Sequence, residues 1–306
     1  MNITKLTLIS GFAAFTVVLF GFSGCKEDNK PIDFSRPATV GDTTYVLTAG
    51  TFPTSVDHNV LVEEFTGASC ANCPDGARIL RGIESSNPGR INVLGLCPTS
   101  SLFCNPPAGY THDFRNESAE NIANQIYAGT VSSYPAGGID RVPVGGHLAM
   151  ERSLWTGEIE RKLTPCKVSI GLNTSYNPGA DKDTITVKVT YLDSTSVPGN
   201  LTVAIVEDSM YDYQEVGTAG FLPNQLFMNI LRETVTPYNG IPLDLSTPLK
   251  EAGRMFQKVF VYTPKTLPAP NPAINPVHCR VIAFVGNPGI GGDYTIVQSA
   301  QTPLRH

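Results

Sequence analysis

The order of hydrophobic and polar positions divides the chain into two halves of different type. Short apolar runs at Asn59–Phe65 and Ile91–Leu96 have the composition of buried strands. Apolar residues at helical spacing follow each run, first from Ala77 to Ile83 and then across 118–128. The order strand, helix, strand, helix predicts an α/β domain over residues 59–164.

The second half of the chain is predicted to consist of strands. Arg152–Leu163 has helical spacing and closes the first domain, which puts a boundary near Thr164. Beyond it, apolar and polar residues alternate with a period of two, and Gly, Pro and Asn separate the runs. The six runs are Lys167–Leu172, Thr184–Tyr191, Leu201–Val206, Gln257–Tyr262, Arg280–Val285 and Tyr294–Val297. This pattern predicts an all-β, immunoglobulin-like sandwich over residues 165–306.

The composition agrees with a folded protein rich in strands. Hydrophobic residues make up 41% of the chain and charged residues 16%, which argues against wholesale disorder. The 28 Gly and 24 Pro favour many turns between short strands. The 27 acidic residues outnumber the 22 basic ones, so the net charge is -5, and it becomes -6 if a leader containing Lys5 is removed. An acidic chain of this kind is not expected to bind nucleic acid.

Residues 1–24 have the layout of a secretion signal. A positive charge at Lys5 precedes an apolar run from Leu6 to Phe22, and small residues lie just before Cys25. A transmembrane helix is the alternative, but it needs about 20 apolar residues and this run is slightly short. The small residues before Cys25 resemble the lipobox of bacterial lipoproteins. We therefore expect the chain to be cleaved at Cys25 and anchored to a membrane by lipid on that residue.

Residues 25–58 are predicted to be a polar linker between the anchor and the folded part, because they are rich in Pro and Thr. Lys26-Glu27-Asp28 resembles an export tag that sends lipoproteins of some Gram-negative bacteria to the outer face of the outer membrane. A solvated tether is the alternative reading of these three residues. The expected location is the outer membrane, with the protein exposed at the cell surface or otherwise facing the periplasm.

Six cysteines remain once Cys25 is assigned to lipid, and all six can pair. In an oxidising compartment disulfides form and persist, although the sequence leaves their connectivity open. The spacing suggests three bridges: Cys70 with Cys73, Cys97 with Cys104, and Cys166 with Cys279. Structural zinc is the alternative use of four of these residues, but such a site usually has two Cys-x-x-Cys pairs or nearby His, and the chain has one pair. We expect no metal and no cofactor.

The Cys-x-x-Cys motif is the strongest candidate for chemistry. Cys70 and Cys73 lie where the first predicted strand turns into the first predicted helix, and Pro74 suits a first helical turn. The free amides and partial positive charge of a helix N-terminus stabilise a thiolate and lower its pKa. Cys70 is therefore the predicted attacking sulfur, and Cys73 the sulfur that resolves the mixed disulfide.

Two motifs carry a family resemblance. The run VLVEEFTGASCANCP at 60–74 and the run SYPAGGIDR at 133–141 resemble the outer membrane protein 28 family of surface and periplasmic lipoproteins. The resemblance extends roughly from Asn59 to the C-terminus. It implies a thioredoxin-like N-terminal domain with the two motif cysteines before the first helix and Pro135 opposite them, where thioredoxin-like folds have a cis-proline. A plain turn before a hairpin is the alternative, since most bonds before proline are trans.

The chain also departs from thioredoxins. It has no Trp before Cys70 and no Pro between Cys70 and Cys73, and it carries Cys97 and Cys104 in the following loop. A second block, Gln225–Tyr238, resembles a recurrent block of the same family. Its apolar residues are predicted to pack in the core, and its charged residues, Arg232 and Glu233, are predicted to face solvent.

Two functions are consistent with these patterns. Neither a Ser-His-acid arrangement nor a phosphate-binding loop is recognisable in the sequence. The first function is thiol–disulfide exchange by Cys70 and Cys73, with Pro135 shaping the substrate groove. The second is a non-enzymatic surface module for binding or adhesion, with a protein or glycan ligand and a purely structural disulfide. A surface-exposed enzyme would lack a nearby electron donor, which favours the second; cysteines at a helix start favour the first.

Overall fold

A computed structural model describes residues 42–195, 199–243, 249–269 and 271–305. These residues form three α-helices, α1 (Cys73–Ser86), α2 (Glu117–Gln125) and α3 (Trp155–Lys162). The strands of the N-terminal half are β1 (Thr43–Val46), β2 (Val56–Asp57), β3 (Val60–Phe65), β4 (Ile91–Leu96), β5 (Ala136–Ile139) and β6 (Met150–Glu151). Those that follow are β7 (Pro165–Cys166), β8 (Val168–Asn177), β9 (Lys182–Tyr191), β10 (Asn200–Glu207), β11 (Met210–Glu215), β12 (Phe221–Phe227), β13 (Ile230–Thr234), β14 (Ile241–Pro242), β15 (Arg254–Tyr262), β16 (Cys279–Gly286) and β17 (Ile296–Pro303). The fold is rich in strands, as the sequence predicts.

A mixed nine-stranded sheet runs through both halves of the chain. Eight strands follow the order β17-β16-β10-β13-β4-β3-β5-β6, and β14 pairs with β10. β3 and β4 are parallel, and β4 joins the C-terminal strands through a parallel contact between Gly95 and Ile230. Strands from both sides of the predicted boundary near Thr164 therefore share one sheet. Residues 42–305 belong to one compact unit.

A four-stranded antiparallel sheet, β1-β15-β9-β8, packs on the C-terminal part of the large sheet. In β9, buried residues alternate with more exposed ones, as expected for a strand that buries one face. Val187 and Val189 from β9 share a core cluster with Val203 from β10 and Val281 from β16. This cluster fills the space between the two sheets, so the second half of the chain contains two sheets packed face to face.

The N-terminal part of the large sheet is covered by helices on both faces. β3 and β4 are buried along their whole length, which explains their continuous apolar runs. Ile122 of α2 packs on one face with Leu61 and Leu94, while Leu80 of α1 and Trp155 of α3 pack on the other face. The three helices that the sequence predicts in this half are all present.

Two short strands lie inside the segment predicted to be a linker. β1 pairs with β15 from Thr43 to Val46, and β2 pairs with β7 at Val56 and Asp57. All four side chains of β1 are exposed, and two of them are Thr. The alternation of apolar and polar residues that marks a half-buried strand is therefore absent from this segment. β1 and β2 are held by backbone hydrogen bonds to strands more than 100 residues away. Residues 43–57 therefore contain strands of the folded part, where the sequence predicts a linker.

Candidate functional site

The Cys-x-x-Cys motif closes a disulfide at a strand-to-helix junction. β3 ends at Phe65 and α1 begins at Cys73, with Pro74 in its first turn. The sulfur atoms of Cys70 and Cys73 are 2.03 Å apart, and their Cα atoms are 5.4 Å apart. Cys70 is 1% exposed and Cys73 is 2% exposed. The predicted junction and the predicted pairing of these two cysteines are both present, but the disulfide is buried.

Pro135 lies against the first turn of α1, and the bond from Tyr134 to Pro135 is cis. A Cβ added to Gly76 would lie 2.9 Å from Cγ of Pro135 and 3.1 Å from Oε1 of Glu64. A larger residue at position 76 would therefore collide with the proline ring. The packing brings the first turn of α1, Pro135 and the Glu64 carboxyl group together in one place.

Glu64 is a buried acid whose side chain lines the same pocket as Cys73. It is 4% exposed, and its Oε1 atom has no hydrogen-bond partner among the described residues. The pKa of Glu64 is raised to about 8, mainly by burial and to a smaller extent by the charge of Glu84, against the opposing effect of Arg81. At neutral pH this carboxyl group is mostly protonated, so it can donate a proton and, once ionised, accept one.

A β-hairpin from the second half covers the disulfide loop. β11 and β12 form this hairpin, and the side-chain amide of Gln214 in β11 donates to the carbonyl oxygen of Cys70 at 3.1 Å. The amide of Glu215 donates to the carbonyl of Ala68 at 2.8 Å, and the amide of Gly217 donates to that of Ala71 at 3.0 Å. The hairpin is thus bonded to the loop at Ala68, Cys70 and Ala71, while Asn72 stays exposed.

A pocket of about 250 Å³ opens between α1 and the segment from β12 to β13. Cys73, Ala77 and Arg81 form its wall on the side of α1, and Glu64 forms part of its floor. Cys70 does not line it. Of the two cysteines, Cys73 therefore lines the pocket, whereas the hairpin bonds to the backbone of Cys70.

Cys97 and Cys104, predicted as a disulfide, carry free thiols in the structure. The two side chains are hydrogen-bonded to each other, and the Cys104 thiol also donates to the carbonyl of Thr66 at 3.2 Å. Burial and the neighbouring Cys104 sulfur raise the pKa of Cys97. The predicted proximity is correct, whereas the predicted bond is not formed.

Cys166 and Cys279, the third predicted pair, also carry free thiols and lie far apart. The side-chain amide of Gln298 donates to Sγ of Cys166, and Gln298 is opposite Val285 in the β16–β17 pairing. Cys279 lies six residues from Val285 along β16, a separation of about 20 Å at the usual rise per residue. A disulfide needs Cα atoms within about 7 Å, so the predicted bridge does not fit this fold.

The segment Gln225–Tyr238 packs into the sheet. Phe227 and Ile230 share a core cluster with Cys97, as predicted for its apolar residues. Arg232 and Glu233, in contrast, are only 7% and 6% exposed, so the prediction that they face solvent is wrong. Arg232 lies 3.3 Å from Glu207, and Glu233 accepts a hydrogen bond from the hydroxyl of Tyr262. These partners belong to distant strands, which the local sequence does not reveal.

Other features of the sequence give no further site. Cys25 and the export-tag residues lie outside the described residues. Over the part of the chain that the structure describes, no helix is both long and apolar enough to span a membrane. Within the same residues, no group of three or more His, Cys, Asp or Glu side chains is arranged to hold a metal ion.

Neither Glu64 nor the hairpin is predicted from the sequence. A signal for Glu64 is present, because Glu63 and Glu64 interrupt an otherwise apolar strand that is buried on both faces. The hairpin from Met210 to Phe227 carries no comparable signal, since its inner residues include Asp212 and Gln214. Polar residues that face a loop of another element cannot be told from solvent-facing ones by pattern alone.

Comparisons with known proteins identify a shared fold. The chain is similar to the solved structure of HBP35 of Porphyromonas gingivalis, with a TM-score of 0.62, 16% sequence identity, and coverage of 82% of this chain and 76% of that one. A second solved structure, AGR_C_4864 of Agrobacterium tumefaciens, has a TM-score of 0.46 and 12% identity over 79% of this chain and 92% of that one. No family model matches the sequence. No curated protein matches it either.

Proposed function

We propose that this chain is a lipid-anchored thiol–disulfide exchange protein that uses the Cys70–Cys73 pair. The observation that supports this most is the location of Glu64, a buried acid with a free oxygen atom, in the same pocket as Cys73. An unpaired buried carboxyl group costs folding free energy, so its place beside a disulfide points to proton transfer.

The architecture around the pair supports a thioredoxin-like assignment for the N-terminal half. β3 and β4 are parallel, β5 and β6 pair antiparallel on the other side of β3, and helices cover both faces. The cis bond before Pro135 adjoins the helix that begins at Cys73. We assign the second half, with its two packed sheets, to an immunoglobulin-like sandwich, and the whole chain to the outer membrane protein 28 family that its motifs resemble.

In the proposed reaction Cys70 is the nucleophile, Cys73 resolves the mixed disulfide, and Glu64 takes the proton of Cys73. In the reduced protein, the Cys70 thiolate attacks a substrate disulfide, a sulfur–sulfur bond forms, and one substrate thiolate leaves. The Cys73 thiol then gives its proton to the ionised Glu64 carboxyl group, and its sulfur attacks Cys70 to expel the second substrate thiolate. The substrate disulfide is reduced to two thiols, and the protein disulfide is formed. Pro135 borders the site and shapes the groove for substrate.

A redox titration of the Cys70–Cys73 pair in the full chain, with thiols counted by mass spectrometry, tests this proposal. A reduction potential near or above about -270 mV, together with insulin-reductase activity that is lost in Cys70→Ser, is expected for an exchange protein. A potential below about -300 mV without turnover would mean that the pair is structural.

The burial of both cysteines, with the hairpin bonded to the loop at Cys70, supports a second candidate, a non-enzymatic surface module that binds a protein or a glycan. In that case the disulfide only holds the loop before α1. For either candidate we propose an outer membrane lipoprotein anchored through Cys25 and exposed at the cell surface. Protease treatment of whole cells tests the exposure: a protein cleaved only after the outer membrane is broken faces the periplasm.

A further inference from the structure

The two sulfurs of the disulfide differ in what can reach them. The hairpin covers the loop that carries Cys70, through the bonds from Gln214 and Gly217. Cys73 lines the pocket between α1 and β12–β13, and Cys70 does not. Attack on a disulfide depends on which sulfur the thiolate can approach. Cys73 is therefore the cysteine of the pair that borders the pocket, although both side chains are almost fully buried.

The pocket is too small for a segment of a folded protein. Its volume of about 250 Å³ is below the range of about 300–1,000 Å³ that is usual for sites of drug-sized ligands. Its wall combines apolar side chains, such as Leu80 and Phe227, with Glu64 and Arg81. Arg81 is exposed and stands at the outer end of the wall, while Glu64 is buried. A molecule of a few heavy atoms with a sulfur at one end fits this arrangement.

We propose that the pocket admits a low-molecular-weight thiol, which attacks Sγ of Cys73 and so reduces the buried disulfide without displacement of the hairpin. This inference rests on the proposed function, because it supplies the electron donor that an exchange protein outside the cytoplasm needs. It gives the two cysteines separate partners: Cys70 meets the substrate disulfide, and Cys73 meets the small reductant.

The reduction balances with two molecules of the thiol. The first, as thiolate, forms a bond to Cys73, the bond between Cys73 and Cys70 breaks, and the electron pair goes to the Cys70 sulfur, which takes a proton from solvent. A second thiolate then attacks the sulfur of the bound thiol. Their disulfide leaves, and the Cys73 sulfur receives its proton from the Glu64 carboxyl group. Two thiols are oxidised to one disulfide, and the protein disulfide is reduced to two thiols.

The first experiment measures which cysteine a small reagent reaches. In the full chain, Cys70→Ser leaves Cys73 free and Cys73→Ser leaves Cys70 free, and each is treated with hydroxyethyl disulfide, the oxidised form of 2-mercaptoethanol. We expect Cys73 to form the mixed disulfide at least ten times faster than Cys70, as followed by mass spectrometry. Equal rates, or a faster reaction at Cys70, would overturn the proposal.

The second experiment fills the pocket. Ala77→Met places a long side chain in the pocket wall, and Gly82→Met places the same side chain on α1 where a Cβ meets nothing within 4 Å. Reduction of the native disulfide by 2-mercaptoethanol should slow at least tenfold in Ala77→Met and stay unchanged in Gly82→Met, with circular dichroism confirming that both are folded. Equal rates in the three proteins would contradict entry through the pocket.

Failure of this inference can be told from failure of the proposed function. If the disulfide exchanges with insulin after chemical reduction but the pocket variants do not alter its reduction by 2-mercaptoethanol, the exchange function stands and the pocket is not the route. If the reduced pair shows no exchange with any substrate while Cys73 still reacts first with the small disulfide, the proposed function fails and the route stands.

Discussion

The side-chain amide nitrogen of Gln214 lies 3.1 Å from the carbonyl oxygen of Cys70, which joins two residues 144 positions apart. The same nitrogen lies 3.1 Å from the carbonyl of Gly67 and 3.2 Å from that of Ala68. One buried amide group thus serves several carbonyl groups of the loop that ends at Cys70. The hairpin is held to the disulfide loop by this side chain as well as by its backbone.

We expect Gln214→Ala to loosen the hairpin from the loop. Loss of the amide takes the donor from the carbonyl of Gly67, while Ala68 and Cys70 keep backbone donors, and an unsatisfied buried carbonyl costs about 1–3 kcal/mol of unfolding free energy. Urea unfolding measures the stability. In addition, attack of a protein thiol on the sulfur of Cys70 should become faster. Thr218→Ala, at an exposed position of the same hairpin, is the matched control. A Gln214→Ala protein as stable as Thr218→Ala would contradict the role assigned to the amide.

A buried ion pair in the sheet should be far more important than a surface pair. The Arg141 side chain lies 2.6 Å from Oε1 of Glu63, and both are at most 3% exposed. Arg141→Met leaves the Glu63 carboxylate buried without a cation, so unfolding free energy should fall by about 3–5 kcal/mol. Arg78→Met, which breaks the exposed pair with Asp75, should change the unfolding free energy little, because water screens an exposed pair. Similar losses in the two variants would contradict this difference.

The pH dependence of stability should report on Glu64. Its pKa is about 8 in the folded protein, against an ordinary value of 4.5, because it is buried. Between these values the folded state holds a proton that the unfolded state releases. The contribution of Glu64 to stability therefore falls as pH rises from 4.5 to 8 and is constant above pH 8. Each unit of difference is about 1.4 kcal/mol, so the total is up to about 5 kcal/mol.

Glu64→Gln should remove this part of the slope. Asp140, whose pKa is raised to about 7 mainly by burial, gives a slope of the same sign in the native protein and in Glu64→Gln. The effect of Glu64 is therefore the difference between the slopes of these two proteins. Urea unfolding at pH 5 and at pH 8 measures it, with Glu160→Gln, an exposed position of α3, as the control. An unchanged slope in Glu64→Gln would show that this carboxyl group is ionised in the folded state at neutral pH.

The number of free thiols distinguishes the structure from the pairing that the sequence suggests. In a Cys25→Ser chain, the structure leaves four thiols, on Cys97, Cys104, Cys166 and Cys279. Denaturation without reductant should therefore expose four reactive groups per chain, whereas the native protein should react slowly because three of the four are buried. Two groups instead of four would mean that one further disulfide has formed, and Cys97 and Cys104 are the pair whose side chains are in contact. A count of zero would require a bridge between Cys166 and Cys279 as well.

Charge at the mouth of the pocket should select among small thiols. Arg81 is the cationic side chain of the pocket wall within the described residues, and opposite charges within a few ångströms attract. Arg81→Gln should slow reduction of the disulfide by 3-mercaptopropionate several-fold and leave reduction by neutral 2-mercaptoethanol unchanged, with rates expressed per thiolate. The difference should shrink at high salt because exposed charges are screened. An equal effect on both reagents would mean that Arg81 acts through structure and not through charge.

The amino-acid sequence by itself determined the elements that depend on local pattern. The buried strands at 60–65 and 91–96, the three helices, and six strands of the second half (β8, β9, β10, β15, β16 and β17) follow from period and composition, because a face that packs on a core must be apolar. The Cys70–Cys73 bond also follows from short spacing. The two cysteines are close along the chain, and the pattern that predicts each strand or helix lies within that one segment.

The tertiary structure decided everything that depends on which segments meet. Gly95 and Ile230 join the two halves in one sheet, Gln214 covers the disulfide loop, and Cys166 is kept far from Cys279. The location of Glu64 beside Cys73 is of the same kind, since it depends on the packing of β3, α1 and the segment after β12. The reason is physical: backbone pairing and buried polar contacts between distant segments are compatible with many sequences, so no periodicity marks them before the chain folds.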